Sequence, residues 1–514
     1  MTRTLNPGVE ACPSRFRNSL ALYQVRRDRE RCIQCLACTE ACPTGVFGHK
    51  GGYPEMPLEH LCLGLECAAK EGSCQNVCPQ GALKVTLHPA VKTLGDRRWP
   101  ARLLVGTYLM AESGRGLVPQ VRTWRGDSGG GFDKLRLNFP GDKELIDPAG
   151  IDLRLPLNRR GDGRPELVLE VPWYGGGMSF GSISDTTMIA RAQAYRAFGS
   201  LTCTGEGGFP EPLVPLADNV ITQVATGLFG VREETIQAVP MVEFKYAQGA
   251  KPGLGGHLLG DKNTPSVARM REAVAGSALF SPFPFHSVYS VEDHKKHVDW
   301  IKEVNPRALV SVKVSTPTDV DMVSVGSYYA GAHVVHIDGS YGGTGAAPEI
   351  AKKNIAMPVE YAIPKVHRFL TEEGARDQVT LIASGGIRTA VDMAKAIALG
   401  ADGVVIGTAD LVALECIRCS RCESGRGCVR GIATTDPGLT VLYDLEWATQ
   451  RLINLYQAWT EQLRHILARF GLGSIGELVG RTDLLLHQDY WPGPGEPPEE
   501  LLWPGRELSA REVG

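Results

Sequence analysis

At 514 residues the chain has the length of about three ordinary domains. Its 43% hydrophobic and 22% charged residues exclude a wholly disordered or fibrous protein. With 54 Lys plus Arg against 57 Asp plus Glu, the formal charge of -3 leaves no electrostatic surplus for binding nucleic acid. No run of about 18 apolar residues suggests a membrane span, and the opening MTRTLNPGVEACPSRFRNSL lacks the apolar core of a signal peptide. No membrane association and a cytoplasmic location are expected.

Residues 1–30 form an Arg-rich lead, and residues 31–86 form a small Cys-dense module. CIQCLACTEACP places Cys32, Cys35, Cys38 and Cys42 at the C-x2-C-x2-C-x3-C-P spacing of bacterial ferredoxins. In that arrangement three thiolates wrap one cubane, and the cysteine before proline serves a second. Cys62, Cys67, Cys74 and Cys78 supply the other half, again ending in C-x3-C-P. The expected ligand sets are Cys32, Cys35, Cys38 and Cys78 for one [4Fe-4S] cluster, and Cys62, Cys67, Cys74 and Cys42 for the other. A disulfide framework or zinc ribbon would leave both C-P endings without a purpose.

Residues 87–165 read as a connecting region with a few strands, interrupted by Gly and Pro breaks such as GDSGGGF at 126–132. From 166 to 437 short β-branched runs alternate with amphipathic stretches, the α/β rhythm. Strands are predicted at 168–171, 201–204, 241–245, 278–281, 309–314, 333–337, 380–383 and 404–407. Helices are predicted at 184–198, 266–275, 291–304, 358–373 and 390–399. Eight strands whose following loops concentrate Gly, Ser and Lys favour a (β/α)8 TIM barrel over an open doubly wound sheet.

Within that region, ASGGIRT (383–389) and IGTADL (406–411) follow the seventh and eighth strands, where barrels hold a phosphate on backbone amides. Gly385, Gly386 and Gly407 would let main chain approach it, and Ser384 and Thr408 offer hydroxyls. Ordinary tight turns are the alternative for such loops. After the eighth strand, ECIRCSRCESGRGCVRG brings together Cys416, Cys419, Cys422 and Cys428 among Arg418, Arg421, Arg426 and Arg430. Cations favour thiolate and an anionic cluster, although C-x2-C-x2-C also suits zinc. Residues 438–514 begin with a helix at 444–470, carrying Leu445, Leu452, Leu455, Trp459, Leu463 and Leu467 on one side, and end in a Pro-rich tail.

MSFGSIS (178–184), TGEGG (204–208), KYAQGAKPGLGGHLLG (245–260), SVKVS (311–315), GGTGAAP (342–348) and the third cysteine group together resemble, in family order, the synthase domain of glutamate synthase. With the ferredoxin module ahead, nearly the whole chain resembles the short, archaeal-type large subunit. The resemblance implies a barrel carrying FMN, an iron-sulfur cluster beside it, and conversion of 2-oxoglutarate and ammonia to L-glutamate. It places Met178, Ser179, Gln248, Gly342 and Gly343 at the cofactor beside the loops above. Lys313 is expected on the flavin, Lys245 or Lys251 on a substrate carboxylate, and Glu206 at the ammonia or imine, with a role as loop organiser as its alternative. His257, His286, His333 and His336 have no metal-ligand spacing and are expected to be packed side chains.

Two departures bear on this expectation. Larger family members resemble a three-cysteine [3Fe-4S] site corresponding to Cys416, Cys422 and Cys428, whereas this chain adds Cys419, so the third cluster is [3Fe-4S] or [4Fe-4S]. The sequence has no space before Cys32 for a glutaminase, and no Rossmann fingerprint. Ammonia and electrons are therefore expected from separate glutaminase and NAD(P)H-oxidising subunits, or from free ammonia and ferredoxin, within an oligomer. Competing readings are the flavin subunit of a methylamine-glutamate N-methyltransferase complex and an electron-wiring flavoprotein without substrate chemistry.

Overall fold

The computed structural model describes residues 21–64, 67, 72–116, 131–141, 143–282, 285–345, 347–423 and 427–487. Most of the Arg-rich lead, positions 126–130 of the glycine break, Arg426 and the Pro-rich tail lie outside the described residues.

In the amino-terminal module, Tyr23–Arg27 pairs antiparallel with Leu83–Leu87. Alternation along the two strands buries Tyr23, Val25, Leu83 and Val85 with Val46 and Phe47, and Cys38, Cys42, Cys62, Cys74 and Cys78 pack against this small core.

The barrel closes with eight parallel strands: Trp173–Gly175, Thr202–Cys203, Val220–Ala225, Met241–Lys245, Leu309–Ser315, Val334–Asp338, Thr380–Ser384 and Gly403–Ile406. Two of the expected strands are not among them. Val168–Leu169 instead pairs antiparallel with Leu155–Pro156. Leu279–Phe280 pairs antiparallel with His257–Leu258 outside the barrel, leaving Phe280 68% exposed. Their places are taken by Trp173–Gly175 and Val220–Ala225. In the latter every residue is buried, including Thr222 and Gln223, so the pattern that marks a half-exposed strand is missing. Lys245 consequently ends the fourth barrel strand rather than the third.

The helices expected between strands appear as Asp185–Ala197, Pro265–Arg271, Val291–Val304, Val359–Glu372 and Ala390–Ala398. Ser184 caps the first of them, its Oγ accepting from Thr187 N. The connecting region contains an unexpected helix, Ala101–Ser113, largely buried against Leu445–Phe470. That long helix starts at an Asp444 cap, ends at left-handed Gly471, and buries Leu452, Leu455, Trp459, Leu463 and Leu467 completely. Trp459 and Tyr456 meet Trp173 edge-on at centroid distances of 6.0 and 6.1 Å, fastening the helix to the first barrel strand. No helix among the described residues is long and apolar enough to cross a membrane.

Candidate active site

Residues two apart on a strand share a face, and this alternation lines the barrel interior with polar groups. Glu243 on the fourth strand reaches His336 on the sixth, past the intervening fifth, at 2.9 Å between Oε2 and Nδ1. Gln223 Nε2 donates to Glu243 Oε1 at 2.7 Å. His336 Nε2 lies 2.7 Å from Ser384 Oγ, and that hydroxyl donates to Asp338 Oδ1 at 2.6 Å. Asp338 Oδ2 accepts from Gly249 N at 3.1 Å and pairs with Lys313 Nζ at 3.1 Å. Burial alone would neutralise these groups. Instead, Lys313 and His336 outweigh burial and hold Asp338 below the usual carboxylate range, and His336 followed by Lys313 does the same for Glu243. Burial depresses Lys313, but Asp338 and Glu243 outweigh it and hold the ammonium above its ordinary value.

At the mouth, Lys245 Nζ lies 3.2 Å from Glu206 Oε2. Burial opposes ionisation of Glu206, and Lys245, Lys251 and Arg271 outweigh it, so the carboxyl sits below its usual range. A Cβ at Gly256 would overlap the Glu206 carboxylate, so a side chain there would displace the carboxylate from this position. Arg271 also donates to Ser179 Oγ and to Phe180 O, each at 3.0 Å, tying the loop after the first strand to this corner. Glu206, Lys245, Gln248 and Lys251 line a cavity of about 250 Å³. Burial pushes the Lys251 ammonium down, and neighbouring Lys245 pushes it further.

The loops after the sixth, seventh and eighth strands meet on the other side. Gly385 and Gly386 have φ of 101° and 85°, and a Cβ at Gly385 would lie 2.5 Å from Gly339 O. Gly343 packs directly on Thr408, and Gly342 on Ala250. Gly407, by contrast, faces open space. Arg98, from the connecting region, places its guanidinium 3.6 Å over the Tyr341 ring, with Nη2 3.2 Å from where a Gly386 Cβ would stand. Open main chain at Gly407, and a cation beside Gly386, fit the phosphate of a mononucleotide. Ser384, expected to face that phosphate, instead commits its hydroxyl to Asp338 and His336.

The cysteines of the amino-terminal module frame two spaces. One, of about 400 Å³, is lined by Cys42, Cys62, Cys67 and Cys74; the other, of about 380 Å³, by Cys32, Cys35, Cys38 and Cys78. The structure thus brings the eight thiols together in two groups of four. Main-chain amides donate to sulfur in both halves, Val46 N to Cys42 at 3.3 Å and Ala82 N to Cys78 at 3.2 Å. Among the described residues no three His, Cys, Asp or Glu side chains gather around one point. Four thiols lining each space, with main-chain amides donating to sulfur, fit the donor set of an iron-sulfur group.

The third cysteine group abuts the barrel mouth, since a Cβ on Gly345 would lie 2.9 Å from Cys422 Sγ. Arg418 donates to Gly343 O at 2.6 Å and pairs with Asp96 at 2.8 Å, and Gly95 N donates to Ile417 O at 3.1 Å. These bonds join the connecting region, the cysteine loop and the loop after the sixth strand.

Several participants were not apparent in the sequence. Arg98 lies in a segment read as a connector. Asp338 and Glu243 sit inside strands, where their charge has no visible partner. His336, expected as a packed histidine, is buried but links two carboxylate systems. His333 accepts from Val310 N and contacts Asp162 Oδ2 at 2.9 Å, away from the mouth, while the His257 ring stacks on Phe280.

A family model described as the conserved region in glutamate synthase matches residues 151–473, and one described as a 4Fe-4S binding domain matches residues 25–47. The archaeal-type glutamate synthase (NADPH) of Thermotoga sp. (strain RQ2) is 36% identical over 486 residues, covering 90% of this chain and 94% of its own length. The archaeal glutamate synthase (NADPH) of Methanocaldococcus jannaschii is 36% identical over 494 residues, with coverages of 90% and 94%. The glutamate synthase (NADPH) large chain of Azospirillum brasilense is 37% identical over 318 residues, spanning 61% of this chain and 21% of its own.

Proposed function

Because the chain belongs to the glutamate synthase family, we propose that it is the synthase component that condenses ammonia with 2-oxoglutarate and reduces the resulting imine to L-glutamate. The reading is carried by the convergence of Glu206, Lys245 and Lys251 on one cavity at the barrel mouth. Lys251 and Lys245 bind the dicarboxylate, each replacing water around a carboxylate with a charge-assisted hydrogen bond. Glu206, ionised beside Lys245, orients ammonia and takes a proton from its nitrogen as that nitrogen adds to the 2-oxo carbon.

FMN, held by the Gly386 and Gly407–Thr408 loops with Arg98 and Lys313, supplies hydride to the imine carbon when bound. Met178, Ser179, Gln248, Gly342, Gly343 and Gly385 complete the proposed cofactor surroundings. Cys32, Cys35, Cys38 and Cys78 would hold one [4Fe-4S] cluster and Cys42, Cys62, Cys67 and Cys74 another, with a third on the cysteines of 416–428; such clusters would supply one-electron transfer. A partner oxidising NAD(P)H or a ferredoxin supplies those electrons, and a separate glutaminase or free ammonia supplies the nitrogen.

Anaerobically purified protein given an artificial reductant, ammonia and 2-oxoglutarate should form glutamate. Flavin oxidation without glutamate would overturn the reading, and N-methylglutamate formation with methylamine would replace it with the N-methyltransferase. The KM for 2-oxoglutarate should rise at alkaline pH, starting below the value of about 10.4 for a free lysine. Lys251 has a depressed pKa, so it is charged at low pH and loses that charge early as pH rises. Lys251→Arg should move the rise to higher pH in a KM–pH profile.

A further inference from the structure

We propose that Cys416, Cys419, Cys422 and Cys428 are the four ligands of a [4Fe-4S] cluster, with Cys419 the one the larger family members lack. The inference rests on the reading of the chain as an iron-sulfur flavoprotein and deepens it by fixing the nuclearity of the cluster at the barrel mouth.

The backbone carries the argument. In Cys32-Ile-Gln-Cys35-Leu-Ala-Cys38, the residues flanking the middle cysteine are left-handed, with Gln34 at φ 62° and Leu36 at φ 62°. In Cys416-Ile-Arg-Cys419-Ser-Arg-Cys422 the same two positions are left-handed, Arg418 at φ 59° and Ser420 at φ 56°. Side chains rarely adopt this conformation. Four of the eight non-glycine residues with positive φ among the described residues fall at these matched positions, which makes an accidental match between two loops of unrelated purpose a poor explanation. Twin left-handed residues turn the chain sharply on either side of the middle sulfur, so three thiols can face a common body from one short segment.

The fourth thiol repeats a second feature. Cys42 and Cys78, each assigned as the remote ligand of one amino-terminal cluster, open a Cys-x-x-Gly turn closed by the glycine N–H on the cysteine carbonyl. Gly45 (φ 70°) bonds Cys42 O at 3.5 Å, and Gly81 (φ 56°) bonds Cys78 O at 3.1 Å. Cys428 opens the same turn, Gly431 (φ 77°) bonding Cys428 O at 2.9 Å. The loop thus contains both halves of the ferredoxin ligand pattern in one stretch.

Exposure of Cys419 does not count against it, because Cys35, its counterpart, is equally classed as exposed and lines the first cluster's cavity. The surroundings suit an anionic cluster. Lys262, almost fully buried, donates to Cys422 O at 2.8 Å, and Arg418, between Cys416 and Cys419, is held over the loop by its bond to Gly343 O.

The test compares the full-length, anaerobically purified holoprotein with Cys419→Ala by iron and zinc analysis and by EPR of the oxidised state. An oxidised four-iron cluster is EPR-silent, whereas a three-iron cluster gives a half-spin signal. The wild type should lack that signal, and Cys419→Ala should gain it while losing one iron per chain. Loss of the whole cluster with flavin retained would also identify Cys419 as a ligand. A three-iron signal in the wild type that persists in Cys419→Ala with unchanged iron, or zinc at this site, would overturn the proposal. Cys419→Ser, which keeps size and an oxygen donor, should restore iron content at least partly if Cys419 is a ligand and should match the wild type in every signal if it is not. Glutamate formation is read separately, so a wild-type three-iron signal with normal turnover sinks this inference alone, while absence of flavin and iron sinks the function as well.

Discussion

Lys313→Met is expected to cost about 3–5 kcal/mol of barrel stability, to release flavin during purification and to lower turnover by roughly 100- to 1000-fold. The stability loss follows from the carboxylate left behind. Asp338 is almost fully buried, and Lys313 is the largest influence holding its charge against desolvation. In the wild type the depressed pKa of Asp338 contributes stability above its unfolded value of about 3.9, and that contribution disappears as pH falls through the folded value. Without Lys313, burial dominates and the folded pKa rises above the unfolded one, so the sign reverses: the variant should lose stability as pH rises from about 4. Urea unfolding across this range, followed by barrel tryptophan fluorescence, checks the reversal. Adding Asp338→Asn should restore most of the stability and abolish the reversal without restoring flavin or turnover, because the missing cation is still missing. If the double variant regains activity, Lys313 serves the fold alone.

This pairing also marks the boundary of what the sequence makes legible. Motifs with fixed local spacing are legible: the cysteines line two cavities in groups of four, and of the apolar side of Leu445–Phe470 all the named residues but Leu445 are buried. Lys245, Lys251 and Glu206 could be singled out because each stands beside glycines that only a crowded loop needs. Long-range polar contacts were not readable. Val220–Ala225 has no alternating signature because both of its faces are buried, with Gln223 bonded to Glu243 inside the barrel and Thr222 buried on the opposite face. The 278–281 segment looked like a barrel strand because Ala-Leu-Phe is apolar, yet Phe280 is exposed on an antiparallel pair outside the barrel. Arg98 is brought to the mouth by contacts remote in the chain: Asp96 pairs with Arg418, Gly95 bonds Ile417, and Arg388 donates to Arg98 O. Spacing encodes what neighbours in sequence do together; charge compensation across a barrel is decided by closure.

Closure also determines how the mouth should respond to losing either partner of the Glu206–Lys245 pair, and the two losses are expected to separate cleanly. Lys245→Met removes a cation from the dicarboxylate site and leaves Glu206 to repel the incoming substrate. KM for 2-oxoglutarate should therefore rise by roughly 100-fold or more, the equivalent of about 3 kcal/mol for a lost charge-assisted contact plus repulsion. Glu206→Gln acts in the opposite direction on binding, because Lys245 is released from its 3.2 Å partner and becomes fully available to the substrate. KM should stay level or fall. Turnover should nevertheless drop by about 100- to 10,000-fold, the usual scale for removing a positioned base, because an amide cannot accept the proton that ammonia sheds on addition. Flavin content and the cluster spectra should remain those of the wild type in both variants, since neither side chain lies among the cysteines or the glycine loops around Arg98. Steady-state kinetics with a saturating reductant read the split directly. Equal rises in KM with unchanged turnover in both variants would show that Glu206 only organises the Gly256 turn and positions Lys245, and a different proton acceptor would have to be sought among the groups lining the same cavity.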